Sequence, residues 1–330
     1  MKIKNTKIYK NMEALFKYQE FKIFADYLGL HFYDENDNEV FFINDYFDAT
    51  DGKIFNDHFL LLRNSKYGFR IYDLLKKEIV SSLRLTDDKM ASNVGYQIIG
   101  DKLYVIAGSS GGKYGNFFSQ DEDDEEVNHS IDIYSLPSLE KIDEIITTNC
   151  FYSIDYIPLY DTIYLIEEDN SLYSLKDKEI KHVDRFQFEV FGIICNMERK
   201  EVYLVTHYGI RVYDYKFNEI NKFDFISDQP MDFKHSKFKN LPFELTESLK
   251  KTTRDSVLSM DILSKDYIFA LISQDISKIY EIAIFSLKNG EKVYSLEIPN
   301  PIECVEVIDE NNFWFILRRN LHCMEIEYDK

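Results

Sequence analysis

A short hydrophobic motif recurs along the chain: an apolar residue, a large central residue that is usually Tyr, and then usually Asp or Ser. Its fullest form is Ile71-Tyr72-Asp73, within residues 67–74. The seven copies are centred on Tyr33, Tyr72, Tyr134, Tyr173, Tyr213, Phe285 and Met324. Four of the six intervals between them are 39 or 40 residues, and the other two are longer by 23 and 33 residues. A period near 40 with several strands per unit is typical of a β-propeller.

The hydrophobic pattern within each repeat predicts four short strands separated by polar turns. In the third, fourth and fifth repeats the predicted strands are 93–100, 102–109, 130–136 and 140–147; 151–158, 162–168, 171–176 and 179–186; and 189–196, 201–207, 209–215 and 219–225. The second strand is a nearly continuous apolar run, as in 202–205, 268–272 and 313–317, which indicates burial on both faces. We therefore predict an all-β fold, a seven-bladed β-propeller of four-stranded antiparallel blades.

The two ends of the chain predict how the last blade is completed. The seventh repeat ends after residues 321–326 and lacks a fourth strand, whereas residues 2–9 are a strand-like run before the first repeat. Pairing the two would leave no unpaired edge at the third strand, so we expect the N-terminal strand to complete the last blade. Ile3 and Ile8 cannot share a face by strict alternation, so a bulge or a shorter pairing is expected.

The first strands carry a finer repeat that begins with a small residue. Gly95-Tyr96-Gln97-Ile98 aligns with runs that begin at Ser153, Gly192, Ser259 and Cys304. With the aromatic-Asp pairs Tyr33-Asp34, Tyr72-Asp73 and Tyr213-Asp214 in place of Trp-Asp, the chain resembles the WD40-repeat family over all seven repeats. The chain has no Gly-His pair, and four repeats lack the Asp. The resemblance implies the fold and small first-strand residues that allow close approach, but no functional residue.

The two long intervals predict insertions in a single domain that spans residues 1–330. One covers about residues 110–129, between the second and third strands of the third repeat, and the other about 227–255, between the fifth and sixth repeats. Strand alternation places both on one face, where loops on a rigid scaffold commonly bind partners. The second insertion also predicts a short helix over 240–250, from its Leu residues at spacing four. The predicted partner-binding residues are Tyr114, Phe117, Phe118, Asp121, Glu122, Asp123, Asp124, Glu125, Glu126, Lys234, Lys237 and Lys239.

Charge narrows the class of partner. The chain has 58 acidic and 39 Lys or Arg residues, a net charge of −19. Such a field disfavours nucleic acid and anionic membranes, whose phosphates require clustered basic residues, and it favours a basic protein. There is no signal-peptide pattern and no apolar run of membrane-spanning length, and the four Cys lack close pairing, which predicts a cytoplasmic protein.

Two hypotheses follow for function. The first is a non-catalytic propeller without a cofactor or metal, a scaffold or an immunity-type protein that binds a basic partner through the face with the insertions. The alternative is a metal-dependent hydrolase or lactonase whose first strands bring Gln97, Asp155, Asp261 and Glu306 together around a divalent ion. No nucleophile-elbow or phosphate-loop pattern adds to the alternative.

Overall fold

The computed structural model describes residues 2–10, 12, 14–47, 49, 51–64, 68–85, 95–107, 129–167, 169–214, 216–226, 256–274, 279–300 and 302–328. Over these residues the chain is all-β, with twenty-eight strands in seven antiparallel sheets of four. The sheets are the blades of a seven-bladed β-propeller, which confirms the predicted fold class. We number the blades 1 to 7 along the chain and the strands of a blade first to fourth in spatial order.

The chain divides into two compact units. The N-terminal unit, Asn11–Gln187, contains blades 1 to 4, and the C-terminal unit, Phe188–Lys330 with Met1–Lys10, contains blades 5 to 7. The first strand along the chain, β1 (Lys2–Lys10), belongs to the C-terminal unit.

The blades of the N-terminal unit follow the chain without crossovers. Their strands are β2 (Ala14–Tyr18), β3 (Phe21–Asp26), β4 (Gly29–Tyr33), β5 (Glu39–Asn44); β6 (Asp51–Phe55), β7 (Phe59–Asn64), β8 (Gly68–Asp73), β9 (Glu78–Leu83); β10 (Tyr96–Ile99), β11 (Lys102–Ala107), β12 (His129–Ser135), β13 (Lys141–Thr147); and β14 (Phe151–Ile157), β15 (Thr162–Glu167), β16 (Ser171–Lys176), β17 (Glu179–Arg185). The face between blades 2 and 3 is a typical core, where Leu61 and Ile71 pack with Leu103 and Val105.

The C-terminal unit contains the remaining three blades. Their strands are β18 (Val190–Asn196), β19 (Glu201–Thr206), β20 (Gly209–Tyr213), β21 (Glu219–Asp224); β22 (Ser256–Ser264), β23 (Tyr267–Gln274), β24 (Ile279–Ser286), β25 (Lys292–Ile298); and β26 (Ile302–Asp309), β27 (Asn312–Leu317), β28 (Asn320–Glu327), with β1 as the fourth strand of blade 7. Second strands are buried on both faces, as predicted: residues 202–205 of β19 and 268–272 of β23 are all buried.

The N-terminal strand completes blade 7. Strand β1 pairs antiparallel with β28, from Lys2 opposite Glu327 to Lys10 opposite Asn320. The register shifts between Asn5 and Lys7, which leaves Thr6 as a bulge, and its hydroxyl donates to the Cys323 carbonyl at 3.1 Å. Because of this bulge, Ile3 pairs with Ile326 and Ile8 with His322. These partners are four residues apart on β28, so Ile3 and Ile8 lie on the same face, and the predicted bulge is present.

A bulge interrupts the fourth strand of every blade, always opposite the repeated motif. In blade 1, Phe32 pairs with Phe41 and Tyr33 with Glu39, so Val40 is left unpaired. The corresponding bulge residues are Val40, Val80, Ile142, Val183, Ile220 and Val293 in blades 1 to 6 and Thr6 in blade 7. The six Val and Ile side chains are between 38% and 53% exposed. A bulged, strongly twisted outer strand is a poor template for pairing with another chain.

The small residues of the first strands are not all required by close packing. An added Cβ at Gly95 would lie 3.2 Å from Ile154 of the next blade, so there a small residue does allow close approach. An added Cβ at Gly192 would meet no described atom within 4 Å, so the described residues do not require a small side chain at that position. A tighter requirement lies at Gly29, where φ is +145° and a Cβ would collide with the Ile43 carbonyl oxygen at 2.0 Å.

Candidate functional site

All the predicted partner-binding residues lie outside the described part of the chain. These residues are Tyr114, Phe117, Phe118, Asp121 to Glu126, Lys234, Lys237 and Lys239, and the predicted helix at 240–250 lies outside it as well. The strands that flank the first insertion are described: β11 ends at Ala107 and β12 begins at His129. The site is therefore built from the described residues at the two ends of the blades.

The two ends of each blade carry different connections, because its four strands are antiparallel. At the end that we call the 2–3 end, the second strand passes into the third and the fourth strand leaves for the next blade. At the opposite 1–2 end lie the turns between first and second strands and between third and fourth strands. The first insertion joins β11 to β12, and therefore belongs by chain order to the 2–3 end of blade 3.

The Asp residues of the repeated motif stabilise turns at the 1–2 end. Asp34 accepts hydrogen bonds from the Asn38 backbone N–H at 2.8 Å and from the Asn38 amide at 3.1 Å. Asp214 accepts from the backbone and side chain of Asn218 at 2.9 and 3.1 Å. The backbone N–H of each Asn, and then its amide, hold the pKa of the facing carboxyl below its usual value. This local role accounts for both carboxylates, so neither one indicates catalysis.

Two Tyr residues of the motif, Tyr72 and Tyr173, connect successive blades, whereas the hydroxyls of Tyr33, Tyr134 and Tyr213 donate to acidic residues of their own blades. Tyr72 in blade 2 donates to Asp45, which follows the last strand of blade 1. Tyr173 in blade 4 accepts a hydrogen bond at 3.2 Å from the amide of Asn149, which follows the last strand of blade 3. The same amide donates to both Glu167 oxygens at 3.1 Å. The motif therefore combines a turn and an inter-blade contact, and both roles are structural.

Buried acidic side chains are all paired in the described part of the chain. Five acidic residues are buried there, and their partners are His31 for Asp26, Arg70 for Asp45, Lys76 for Asp73, Lys141 for Asp132 and Lys292 for Glu281. The Lys141–Asp132 and Lys292–Glu281 contacts are 2.9 and 2.5 Å long. A buried carboxylate requires such a partner because burial removes its hydration. Within the described ranges, the other acidic residues whose side chains are described are at least partly exposed.

The first-strand acids do not form a metal site. Asp155 accepts a hydrogen bond from Ser153 at 2.7 Å, and Asp261 accepts one from the backbone N–H of Ile262 at 2.7 Å. Asp261 is exposed to solvent, yet the surrounding protein atoms remove part of the hydration of its carboxyl and so raise its pKa, and the hydrogen bond from the Ile262 N–H opposes this shift. Among the described residues no three His, Cys, Asp or Glu side chains lie close enough together to hold a metal ion. Gln97 and Glu306 are also described, and they do not complete such a group. The cluster of metal ligands that the hydrolase hypothesis requires is therefore not seen in these residues.

A groove of about 530 Å³ lies in the C-terminal unit, between the turns at the 1–2 ends of blades 5 and 6. Glu198, Asp266 and Glu310 line it. Arg199 approaches Asp266 at 3.7 Å, but its shorter contact is with Glu201 at 2.7 Å. The groove is therefore acidic, and its carboxylates can attract a cationic group without forming a defined pocket for one.

A second groove, of about 380 Å³, lies in the N-terminal unit between the fourth strands of blades 3 and 4. Its lining combines Ile145, Ile146 and Ile180 with the polar residues Thr147, Thr148 and Lys178. Lys178 lies at its border and pairs with Asp143 at 2.5 Å. The residues that line the two grooves do not by themselves indicate a reaction.

Two exposed Tyr residues at the 2–3 end of blade 1 were not among the predicted site residues. They are Tyr27, between β3 and β4, and Tyr46, after β5. Each Tyr follows an Asp, and the Asp-Tyr pair lies where an apolar strand ends. This pattern is the sequence signal by which the two residues could have been found. An Asp that accepts hydrogen bonds from the backbone of the following residues fixes the conformation of such a turn.

Comparisons with known proteins show the fold and nothing finer. No protein-family model matches the chain, and no curated protein matches it. One solved structure that resembles it is the crystal structure of the computationally designed Ika8 protein, with a TM-score of 0.55 and 9% sequence identity. The match covers 96% of this chain and 83% of that chain. At this identity the likeness concerns the fold alone.

The described residues also bear on membrane insertion. The described part of the chain contains no helix that is long and apolar enough to cross a bilayer.

Proposed function

We propose that this chain is a non-catalytic, WD40-like interaction propeller of the cytoplasm that binds a basic protein, as a scaffold or an immunity-type protein. The observation that carries the proposal is the location of the negative charge. The net charge is −19, and the buried acids in the described ranges already have cationic or His partners. The other acidic residues in these ranges whose side chains are described are at least partly exposed, and exposed negative charge accelerates association with a positively charged partner and favours it over others.

The fold supports the same proposal. A propeller presents loops from rigid, antiparallel blades, and binding residues concentrate on loops that a rigid scaffold positions. The proposed contact face is the one with the insertions, and Asp121 to Glu126 would supply its densest negative charge. The hydrolase alternative has no supporting observation among the described residues, so we do not propose it.

The test is affinity capture from the source cell, followed by titration of the purified partner at several ionic strengths. We expect a stoichiometric partner with an excess of Lys and Arg, whose affinity falls as salt screens the exposed charges. A partner without that excess, an affinity that salt does not change, or no stoichiometric partner at all would contradict the proposal.

A matched pair of variants then locates the contact face. One variant neutralises the six acids 121–126, and the control neutralises six exposed acids at the 1–2 ends of blades. The control residues are Glu35, Glu140, Asp177, Glu198, Glu291 and Glu310. Both variants change the net charge equally, so only a contact at the insertion makes the first lose affinity much more strongly than the second. Equal losses would show that the general field acts rather than this face.

A further inference from the structure

Tyr27 and Tyr46 are two of the most exposed aromatic side chains in the described part of the chain. Their exposed fractions are 53% and 73%. Both lie at the 2–3 end of blade 1, and each directly follows a buried Asp, Asp26 or Asp45. Large aromatic residues gain free energy when they are buried, and exposed Tyr on a rigid support is suited to contact another protein surface.

The turn that presents Tyr27 is fixed from below by Asp26. Oδ1 of Asp26 accepts the backbone N–H of Leu28 at 2.7 Å and that of Gly29 at 3.1 Å. His31 Nε2 lies 3.2 Å from the same oxygen. These contacts hold the backbone on both sides of the turn, so its tip residue, Tyr27, projects from a defined backbone conformation.

The segment that presents Tyr46 is fixed just as firmly. Its two chain neighbours, Asp45 and Phe47, are buried, at 9% and 3% exposure. Asp45 binds both Arg70 and the Tyr72 hydroxyl, and the Arg70 guanidinium lies 4.7 Å from the centre of the Phe47 ring. Because both neighbours are held in the protein interior, the backbone at Tyr46 is fixed and its side chain remains exposed.

The two presenting segments are also joined to each other. The Asp45 backbone N–H donates to the Leu28 carbonyl at 2.9 Å, which ties the segment of Tyr46 to the turn of Tyr27. Gly29 makes this approach possible, because an added Cβ there would lie 2.8 Å from the Asp45 nitrogen. The backbone segments that carry the two Tyr are therefore linked and preorganised, so binding there orders little backbone that is not already ordered.

We propose that Tyr27 and Tyr46 are the aromatic anchors of this protein's partner-binding surface, and that they receive arginine side chains of a basic partner protein. This inference rests on the proposed function and extends it to a surface in blade 1. Guanidinium groups stack on aromatic faces and donate to hydroxyl oxygens, and Tyr is enriched where protein interfaces concentrate their binding energy. The net charge of −19 draws an arginine-bearing surface to the anchors, whereas it repels an acidic one.

The binding test uses two synthetic peptides of equal length and charge, one with four Arg and one with four Lys separated by Gly and Ser. The double variant Tyr27→Ser/Tyr46→Ser should weaken the Arg peptide about tenfold, from the loss of two cation–π contacts. It should change the Lys peptide less, because ammonium is more strongly hydrated. Tyr27→Phe/Tyr46→Phe keeps the rings and should bind the Arg peptide within about threefold of the unaltered protein.

Leu75 provides a matched control at the opposite end of a blade. It is 61% exposed and follows Asp73 in a turn that this Asp pins, with the Leu75 N–H at 3.0 Å from Oδ1. Leu75→Ser should leave the affinity for the Arg peptide unchanged. An Arg peptide that binds the double Ser variant as tightly as the unaltered protein would overturn the proposal, as would an equal loss in Leu75→Ser.

A second measurement needs no substitution. Tetranitromethane nitrates exposed Tyr, and mass spectrometry of the unaltered protein should show that the Arg peptide protects Tyr27 and Tyr46. Absence of protection at saturating peptide would also overturn the proposal. The two proposals can fail separately. A captured basic partner that binds the double Ser variant and the unaltered protein equally well would contradict the role of the two Tyr but would support the proposed function. Peptide binding that depends on the two Tyr, without any captured partner, would contradict the proposed function but would support the binding of Arg by the two Tyr.

Discussion

Tyr72 donates its hydroxyl hydrogen to the carboxylate of Asp45, so the central residue of the repeated motif in blade 2 is bonded to the segment that leaves blade 1. Asp45 is buried and has Arg70 as its second partner. One side chain of the repeat thus connects two blades and, through Asp45, holds the segment that presents Tyr46. Folding stability and the proposed contact surface consequently depend on the same buried group.

Removal of the hydroxyl in Tyr72→Phe should destabilise the protein. Asp45 would lose one of its two side-chain partners in a buried position, and we expect a decrease of about 1–3 kcal/mol in the free energy of unfolding. Tyr156→Phe is the matched control, because its hydroxyl bonds to Asp161 at 2.7 Å at an exposed turn and its loss should have a much smaller effect. Urea unfolding of both variants measures the difference. Equal losses would show that the Tyr72–Asp45 bond contributes no more than a surface hydrogen bond.

Alkaline pH should weaken the fold through the same residue. Burial, and then the hydrogen bond to Asp45, raise the pKa of Tyr72, and burial and neighbouring acids raise the pKa of Tyr328 to about 12. A pKa that is higher in the folded state than in the unfolded state means that folding favours the protonated phenol. This contribution is complete below about pH 10, the pKa of an unfolded Tyr, and is lost as the pH rises above it.

The measurement is the free energy of unfolding between about pH 8 and pH 12, with tyrosinate absorbance as a second readout. We expect stability to fall with rising pH above about 10, and to fall less steeply in Tyr72→Phe. Stability that stays constant over this range would show that none of the buried Tyr hydroxyls titrates with folding.

The repeat period and the hydrophobic pattern were enough to predict the blades, because both are set by residues close in sequence. The last blade was predictable for a different reason: the third strand at residues 321–326 needed a partner, and 2–9 was the unassigned strand-like run. Contacts such as Tyr72 with Asp45 were not predictable, because 27 positions separate the residues and no local pattern marks the pair. The same holds for the Asp45–Leu28 hydrogen bond that joins the two anchor segments.

The bulges lie between these two cases. Val40, Ile142 and Ile220 follow a Glu or Lys at the start of a fourth strand, so the sequence contains a repeated signal. Its meaning depends on register, however, since an apolar residue in a strand is ordinarily assigned to the core. Only the pairing of the motif with the fourth strand shows that these residues are skipped and exposed.

Ile142 should therefore tolerate substitution but not deletion. Its side chain is 50% exposed, and Ile133 pairs with Asp143 while Tyr134 pairs with Lys141. Ile142→Thr keeps a β-branched residue at the bulge and should change stability by about 0.5 kcal/mol or less. Deleting Ile142 makes Lys141 and Asp143 chain neighbours, which preserves their pairing with Tyr134 and Ile133 but removes the bend and the extra twist of the outer strand, so it should destabilise the blade more than the substitution does.

Thermal unfolding of the two Ile142 variants tests whether the bulge has a structural purpose. The deletion should lower the melting temperature more than the substitution does, because only the deletion removes the bend and twist of the bulge. If the deletion variant melts like Ile142→Thr, the strand has re-formed without a bulge, and the repeated register shift is incidental.

The N-terminal strand should be essential to blade 7 and to the cooperativity of folding. Deleting residues 1–9 would remove almost all of β1, expose the edge of β28, and take away the contacts of Ile3 with the core and the buried ring of Tyr9. We expect a loss of several kcal/mol, on the scale of losing more than one packed side chain, together with aggregation through the free edge. Ile8→Thr serves as a control, because Ile8 is 51% exposed although it lies in the same strand.

Melting curves and size-exclusion chromatography of the truncated protein measure both effects. A synthetic peptide of residues 1–10 added to it should raise the melting temperature in a concentration-dependent way, because binding to the folded form alone stabilises that form. A peptide with Ile3→Asp should stabilise it less, since a charge would face the apolar cluster that Ile3 contacts. A truncated protein that stays monomeric and melts at the unaltered temperature would show that β1 is dispensable, and that β28 is stable as an edge strand without it.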